Sequence, residues 1–140
     1  MTFLLDTNAI SEIRKPQPDS AYRAWLEAQD PGDLYLSVLS LGELRRGVVA
    51  LPVGPRRSAL EAWLAELLVQ FSERTLVVDQ GVASAWADIM LIHRATGRAV
   101  GTVDQLIAAT ALTHGLTVVT RNVRHFEPSG CKVVCPWPEA

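Results

Sequence analysis

Two hydrophobic patterns alternate along the chain, and each predicts a different kind of element. Thr2–Leu5, Leu34–Ser37, Thr75–Val78 and Thr117–Thr120 are short, mostly apolar runs rich in Leu, Val and Thr. Runs of that length and composition are expected of strands buried on both faces. Lys132-Val133-Val134 is a candidate fifth strand. Between these runs the apolar residues recur every three or four positions, the period of a helix with one face on a core. Asp6-Thr7-Asn8 supplies helix-capping side chains before a short helix over Ile10–Lys15, which Pro16 and Pro18 stop. Asp19 caps a second helix over Tyr22–Gln29, closed by Pro31-Gly32.

The next helix starts near Ser40-Leu41-Gly42-Glu43 and runs to Val49; Pro52–Pro55 turns the chain. Its successor carries the clearest period in the sequence, Leu60, Trp63, Leu64, Leu67, Leu68 and Phe71. Two amphipathic helices joined by a short turn form a helical hairpin. A helix over Gln80–Thr96 ends at Gly97, and another over Val103–His114 is apolar on most sides, which predicts burial. Short apolar strands alternating with helices give an α/β fold of three layers, with a short, largely parallel sheet between helices.

Composition narrows the class. At 140 residues, 49% hydrophobic and 20% charged, the chain fits one globular domain spanning residues 1–140. No apolar run is long enough to span a bilayer, and Phe3-Leu4-Leu5-Asp6 follows Met1 with no basic region or cleavage site, so a cytoplasmic location is expected. Cys131 and Cys135 on one strand would lie about 13 Å apart, too far for a disulfide, and are expected to be free thiols. A net charge of −2 does not mark a nucleic-acid binder. Eleven of the 13 basic residues are arginines, some paired as Arg14-Lys15, Arg45-Arg46, Arg56-Arg57 and Arg121 with Arg124. Arg suits phosphate, but charged pairs on helices also serve as solvated faces, so charge alone leaves the partner open.

Candidate chemistry lies just beyond the strand ends, where open α/β sheets bind ligands. Asp6 follows the first strand, Glu43 comes soon after the second, Asn122 follows the fourth, and Asp104 opens the buried helix. Each has a plain structural alternative. Asp6 can cap the first helix, Ser40 and Glu43 fit a capping box, Asp104 complements a helix dipole, and Asn122 can brace a turn. As a set they suggest more, because carboxylates bordering a core repel one another and lose hydration unless a cation compensates. Clustered oxygen ligands suit Mg²⁺ or Mn²⁺, which can activate water against a phosphodiester.

Four segments resemble the motifs of PIN domains: Leu4-Leu5-Asp6-Thr7-Asn8, Ser37–Leu44 with its Glu43, Asp104–Ala111, and Val118–Phe126. They occur in that family's order across nearly the whole chain, and the length is similar to that of the VapC/FitB-like toxin branch. The resemblance implies a PIN fold with a protruding helical hairpin and a metal-dependent endoribonuclease using Mg²⁺ or Mn²⁺. It implies Asp6, Asp104 and Glu43 as metal-binding carboxylates, Asp6 and Asp104 the more direct ligands and Glu43 acting through water, with Asn122 completing the catalytic set. Thr120 would orient the last motif and Asn8 would support the carboxylates. The fourth motif departs from the pattern: Asn122 and His125 stand where many relatives carry acids, so one firmly held ion is expected, and a second only with substrate phosphate. His125 could protonate a leaving oxygen or simply lie on the surface.

The same resemblance implies a homodimer, a cognate antitoxin packed along the hairpin near Leu44, Val48, Trp63 and Leu67, DNA contact only through that antitoxin, and a transfer RNA or ribosomal RNA loop as substrate. Two rival readings are a catalytically weak PIN-fold binding module acting through its antitoxin complex, and a phosphotransferase with Asp6 as nucleophile. The second fits poorly, since position 8 is Asn and the only lysines are Lys15 and Lys132.

Overall fold

The computed structural model describes residues 1–138. Five parallel strands, β1 (Phe3–Leu5), β2 (Leu34–Ser37), β3 (Thr75–Leu76), β4 (Thr117–Val119) and β5 (Val133–Val134), form one sheet in the order β3-β2-β1-β4-β5. The chain lays strands outward on one side of β1 and then crosses to the other. The place where strand order reverses is therefore between β1 and β4, where such sheets open a crevice.

Strand alternation divides the core. Phe3, Leu5, Leu34, Leu36 and Val119 point to one face, which is covered by α1 (Thr7–Ile13), α2 (Ser20–Glu27), α3 (Val38–Val49) and α4 (Pro55–Gln70). Leu4 and Val118 point to the other, under α5 (Gln80–Thr96), α6 (Thr102–His114) and α7 (Val123–Phe126). Both faces of the sheet are thus dry, which explains why its strands read as unbroken apolar runs. In α6 the five consecutive residues Ile107–Ala111 are all buried, as a helix apolar on most sides requires.

Several boundaries differ from the expected ones. α1 begins at Thr7, because Asp6 rather than Asn8 is its cap. α3 begins at Val38, capped by the Ser37 hydroxyl on the Leu39 N–H, so Ser40 lies inside the helix. The third strand stops at Leu76, leaving Val77 exposed. α4 extends back to Pro55, whose fixed φ and missing N–H suit a first helical turn. Its periodic face holds except at Leu68, which is 45% exposed. α7 has four residues, too few for a hydrophobic period to show in the sequence. Gly97 ends α5 in the left-handed region at φ 70°, where a side chain would be strained. Both cysteines are free thiols. No helix among the described residues is long and apolar enough to cross a membrane.

Candidate active site

Beyond the carboxyl ends of β1 and β4 lies an open cleft of about 380 Å³, and Asp6, Glu43, Asp104 and Asn122 all line it. They arrive from four separate segments: the end of β1, the second turn of α3, the first turn of α6, and the loop after β4. The fold therefore brings together the four residues singled out from the sequence.

Asp6 is only 3% exposed and performs two tasks. Its Oδ1 caps α1 by accepting the Thr7 N–H at 2.8 Å. Its Oδ2 accepts the Thr120 hydroxyl at 2.7 Å and the Asn8 amide at 3.3 Å. The cap and the cleft are therefore not alternatives for this residue. The Thr120 hydroxyl in turn accepts from Asn8 Nδ2 at 3.2 Å and from the Asn122 N–H at 2.9 Å. With both lone pairs taken by donors, its single proton must point to Asp6. Asn8 Oδ1 closes the lattice by accepting the Arg121 N–H. Thr120 and Asn8 thus tie the loop after β4 to the residue that ends β1.

The Asp6 carboxyl is pushed up to about 6. Burial is the main cause; the Thr120 hydroxyl pulls the other way, and the negative charges of Asp104 and, more weakly, Glu43 push it further up. These side chains share one electrostatic field.

Glu43 makes no capping box. It accepts the Thr7 hydroxyl at 2.5 Å, and the buried Ser40 hydroxyl has no partner. The Ser40-x-x-Glu43 spacing matches the motif, but with the helix starting at Val38, Ser40 is not the cap and Glu43 is free to face the cleft. Asp104 accepts from or donates to His125 Nδ1 at 2.7 Å through Oδ2. His125 is thus neither a plain surface residue nor part of the cleft lining: it is half-buried and fastened to Asp104.

Five residues of this cleft were not singled out from the sequence as site residues: Thr7, Ser11 and Glu12, and the cations Lys15 and Arg121, which the sequence offered only as members of charged pairs. Thr7 binds Glu43, and Ser11 and Glu12 line the wall on successive positions of α1. Glu12 gives no local signal, since its burial depends on Trp137, 125 positions later. Beside the cleft, α1, α3 and α4 enclose a narrower groove that includes Leu44, Val48 and Trp63 and shares Thr7, Ser11 and Glu43 with the cleft. Leu44 and Val48 are themselves buried, at 7% and 6%, and Leu67, expected with them as a contact residue, is buried at 5% and does not line the groove.

This architecture has relatives. The PIN domain family matches residues 3–128. The chain belongs to that family. This PIN domain is similar to VapC ribonuclease Y4jK of Sinorhizobium fredii, with 41% identity over 138 residues, 98% of this chain and 99% of the relative. It is similar to Toxin FitB of Neisseria gonorrhoeae, with 39% identity over 135 residues, 96% of this chain and 97% of that protein. The crystal structure of FitAcB from Neisseria gonorrhoeae matches with a TM-score of 0.91 at 39% identity, covering 97% of this chain and 99% of that one. The PIN fold inferred from four short motifs is thus the fold of the whole described chain.

Proposed function

We propose that this PIN-domain protein, a single domain over residues 1–140, is an endoribonuclease that hydrolyses RNA phosphodiester bonds and acts as the toxin of a toxin–antitoxin pair. The observation that carries this reading is the convergence of Asp6, Glu43 and Asp104 from three distant segments on one open cleft. Similarity to a VapC ribonuclease over nearly the full chain supports it.

The donor set fits a hard divalent cation, Mg²⁺ or Mn²⁺: three carboxylates and the Asn122 amide line the same space, and Asp6 is raised first by burial and then by its acidic neighbours Asp104 and Glu43. Among the described residues no three His, Cys, Asp or Glu side chains are gathered tightly enough to enclose an ion by themselves. The remaining coordination then falls to water and substrate phosphate, as Mg²⁺ commonly allows. Asp6 and Asp104 would hold the ion directly, Glu43 through water, and Asn122 by its amide oxygen without adding charge. When bound, such an ion supplies Lewis acidity toward a phosphodiester and acidifies water. With only three carboxylates, one ion is held firmly in the free protein, which titration calorimetry should read as a single tight site.

The protein's own contribution is order. Thr120 and Asn8 fix the Asp6 carboxylate, the Thr7 hydroxyl fixes Glu43, and His125 Nδ1 fixes the rotation of Asp104. The groove beside the cleft suits an antitoxin segment, because it is apolar at Leu44, Val48 and Trp63 and opens toward Glu43. In this reading the protein is a cytoplasmic homodimer that meets DNA only through the antitoxin, and its substrate is a transfer RNA or ribosomal RNA loop.

The test is cleavage. The chain, purified free of antitoxin, is incubated with total bacterial RNA in Mg²⁺, in Mn²⁺ and in EDTA, beside Asp6→Ala. Discrete products that require metal and Asp6 are expected, with a loss of more than about 100-fold in the variant, since even residues that only orient metal ligands cost 10- to 100-fold. Intact RNA together with no metal binding would instead favour a catalytically weak binding module. The neutral Asn122 and the engagement of Asp104 by His125 are the features that would then explain the loss.

A further inference from the structure

The acidic cleft poses a problem for the proposed substrate. Asp6, Glu43 and Asp104 present negative charge to a polyanion, and something must offset it on the approach. Two cations line the same cleft, Lys15 and Arg121. They come from opposite ends of the sequence, one just past α1 and the other just past β4. Both converge on one buried carboxylate: Glu12 Oε1 lies 3.1 Å from Lys15 Nζ and 3.9 Å from Arg121 Nη1.

Glu12 is held from several sides. Its Oε2 accepts the Asp19 N–H at 3.0 Å, and its Oε1 accepts the Trp137 indole N–H at 3.1 Å. The Trp137 ring stacks on Tyr22 with centroids 4.4 Å apart and planes 7° from parallel, and the Arg121 guanidinium lies 5.3 Å from the Trp137 ring centroid. One anion is thus shared by two cations. The side chains of Lys15 and Arg121 remain 52% and 54% exposed. Lys15 spends one of its three donors on Glu12, and Arg121 meets it only at ion-pair distance, so both keep donors for a further anion.

We propose that Lys15 and Arg121 form a phosphate clamp for the RNA backbone along the Glu12 wall of the cleft, built on the Glu12–Trp137 anchor. This rests on the ribonuclease reading, and it deepens that reading by assigning where the strand is gripped rather than where it is cut. Arg121 offers a planar fork beside an aromatic ring, and Lys15 a mobile point charge; together they suit two phosphates along a single strand. The clamp supplies the attraction that the metal-binding carboxylates cannot.

The experiment reads binding apart from chemistry. Fluorescence anisotropy with a labelled single-stranded RNA of about a dozen nucleotides is run in EDTA over a series of salt concentrations. Each phosphate contact on a single strand contributes a slope of about 0.7 in log affinity against log salt, or about fivefold at 0.1 M. Lys15→Ala/Arg121→Ala should therefore bind about 25-fold more weakly, with a slope shallower by about 1.4. The swap Lys15→Arg/Arg121→Lys should keep the slope, because the charges remain. Arg23→Ala removes an exposed cation paired with Glu27 on α2, outside the cleft, and should leave both quantities near those of the parent chain.

An unchanged slope in the double alanine variant overturns the clamp, and so does a failure of the parent chain to bind RNA in EDTA. The nuclease reading is judged separately by cleavage in metal. If the parent and the double variant cleave with the same KM, only the clamp falls; if the parent never cleaves, the reading beneath it falls too.

Discussion

Asp6 and Glu12 are both 3% exposed, both lie at or near α1, and both line the same cleft, yet they are shifted in opposite directions. For each, burial is the largest influence and favours the neutral acid. Around Asp6 the Thr120 hydroxyl and Thr7 N–H resist that push, but Asp104 and Glu43 reinforce it, and the carboxyl ends at about 6. Around Glu12 the Asp19 N–H, the Trp137 indole and Lys15 together overcome burial, and the carboxyl falls below its ordinary value. Burial alone therefore does not say whether a carboxylate is structural or reactive. The company it keeps does: donors and cations hold Glu12 as the anion, whereas like charges add to burial in pushing Asp6 toward the neutral acid.

The comparison is open to breaking from both sides. Asp6→Asn should have the largest effect. Because the folded Asp6 carboxyl is raised above its ordinary value of 3.8, its contribution to stability is full below that pH and is lost as the pH rises through about 6. Urea denaturation of the metal-free chain should show the difference between Asp6→Asn and the parent moving in the variant's favour between pH 4 and pH 8, by up to about 3 kcal/mol. A pH-independent difference would mean that Asp6 does not carry this strain.

Glu12→Gln should do the reverse on a smaller scale. A lowered folded value means that the Glu12 contribution is present above about 4.5 and lost as the pH falls through the folded value. The amide cannot accept from all of the donors now aimed at the carboxylate, so a loss of about 1–3 kcal/mol is expected at pH 7, narrowing in acid. Equal stability at pH 7 would remove Glu12 as an anchor. Smallest of all, Trp137→Phe keeps a ring to stack on Tyr22 but deletes the indole N–H to Glu12. About 1 kcal/mol should be lost, measured by the same unfolding curves.

Much of the fold was legible because its signals are local. Strands buried on both faces must be apolar throughout, so Phe3–Leu5 and Thr117–Val119 stand out without any partner being known. Helix ends marked by Asp19 and Gly97 were equally plain, since caps and left-handed turns select a few residue types. Local signals misled where two motifs competed. Ser37 and Ser40 both suit a helix cap, and only the end of β2 decides that Ser37 takes it, freeing Glu43 for the cleft. The hairpin residue Leu67 matched its neighbours in pattern, but the packing of α4 sends it inward.

The sequence by itself determined the α/β class, the order of elements, the placement of Asp6, Glu43 and Asn122 near strand ends and that of Asp104 in the first turn of the buried helix, because periodicity and capping are properties of a few adjacent residues. Tertiary structure decided which of them share a field, that Thr120 points its proton at Asp6, that His125 holds Asp104, and that Glu12 gathers Lys15, Arg121 and Trp137. Those facts join residues more than a hundred positions apart in several cases. Electrostatic and hydrogen-bond energies depend on distance and burial, and neither exists until the chain has closed on itself.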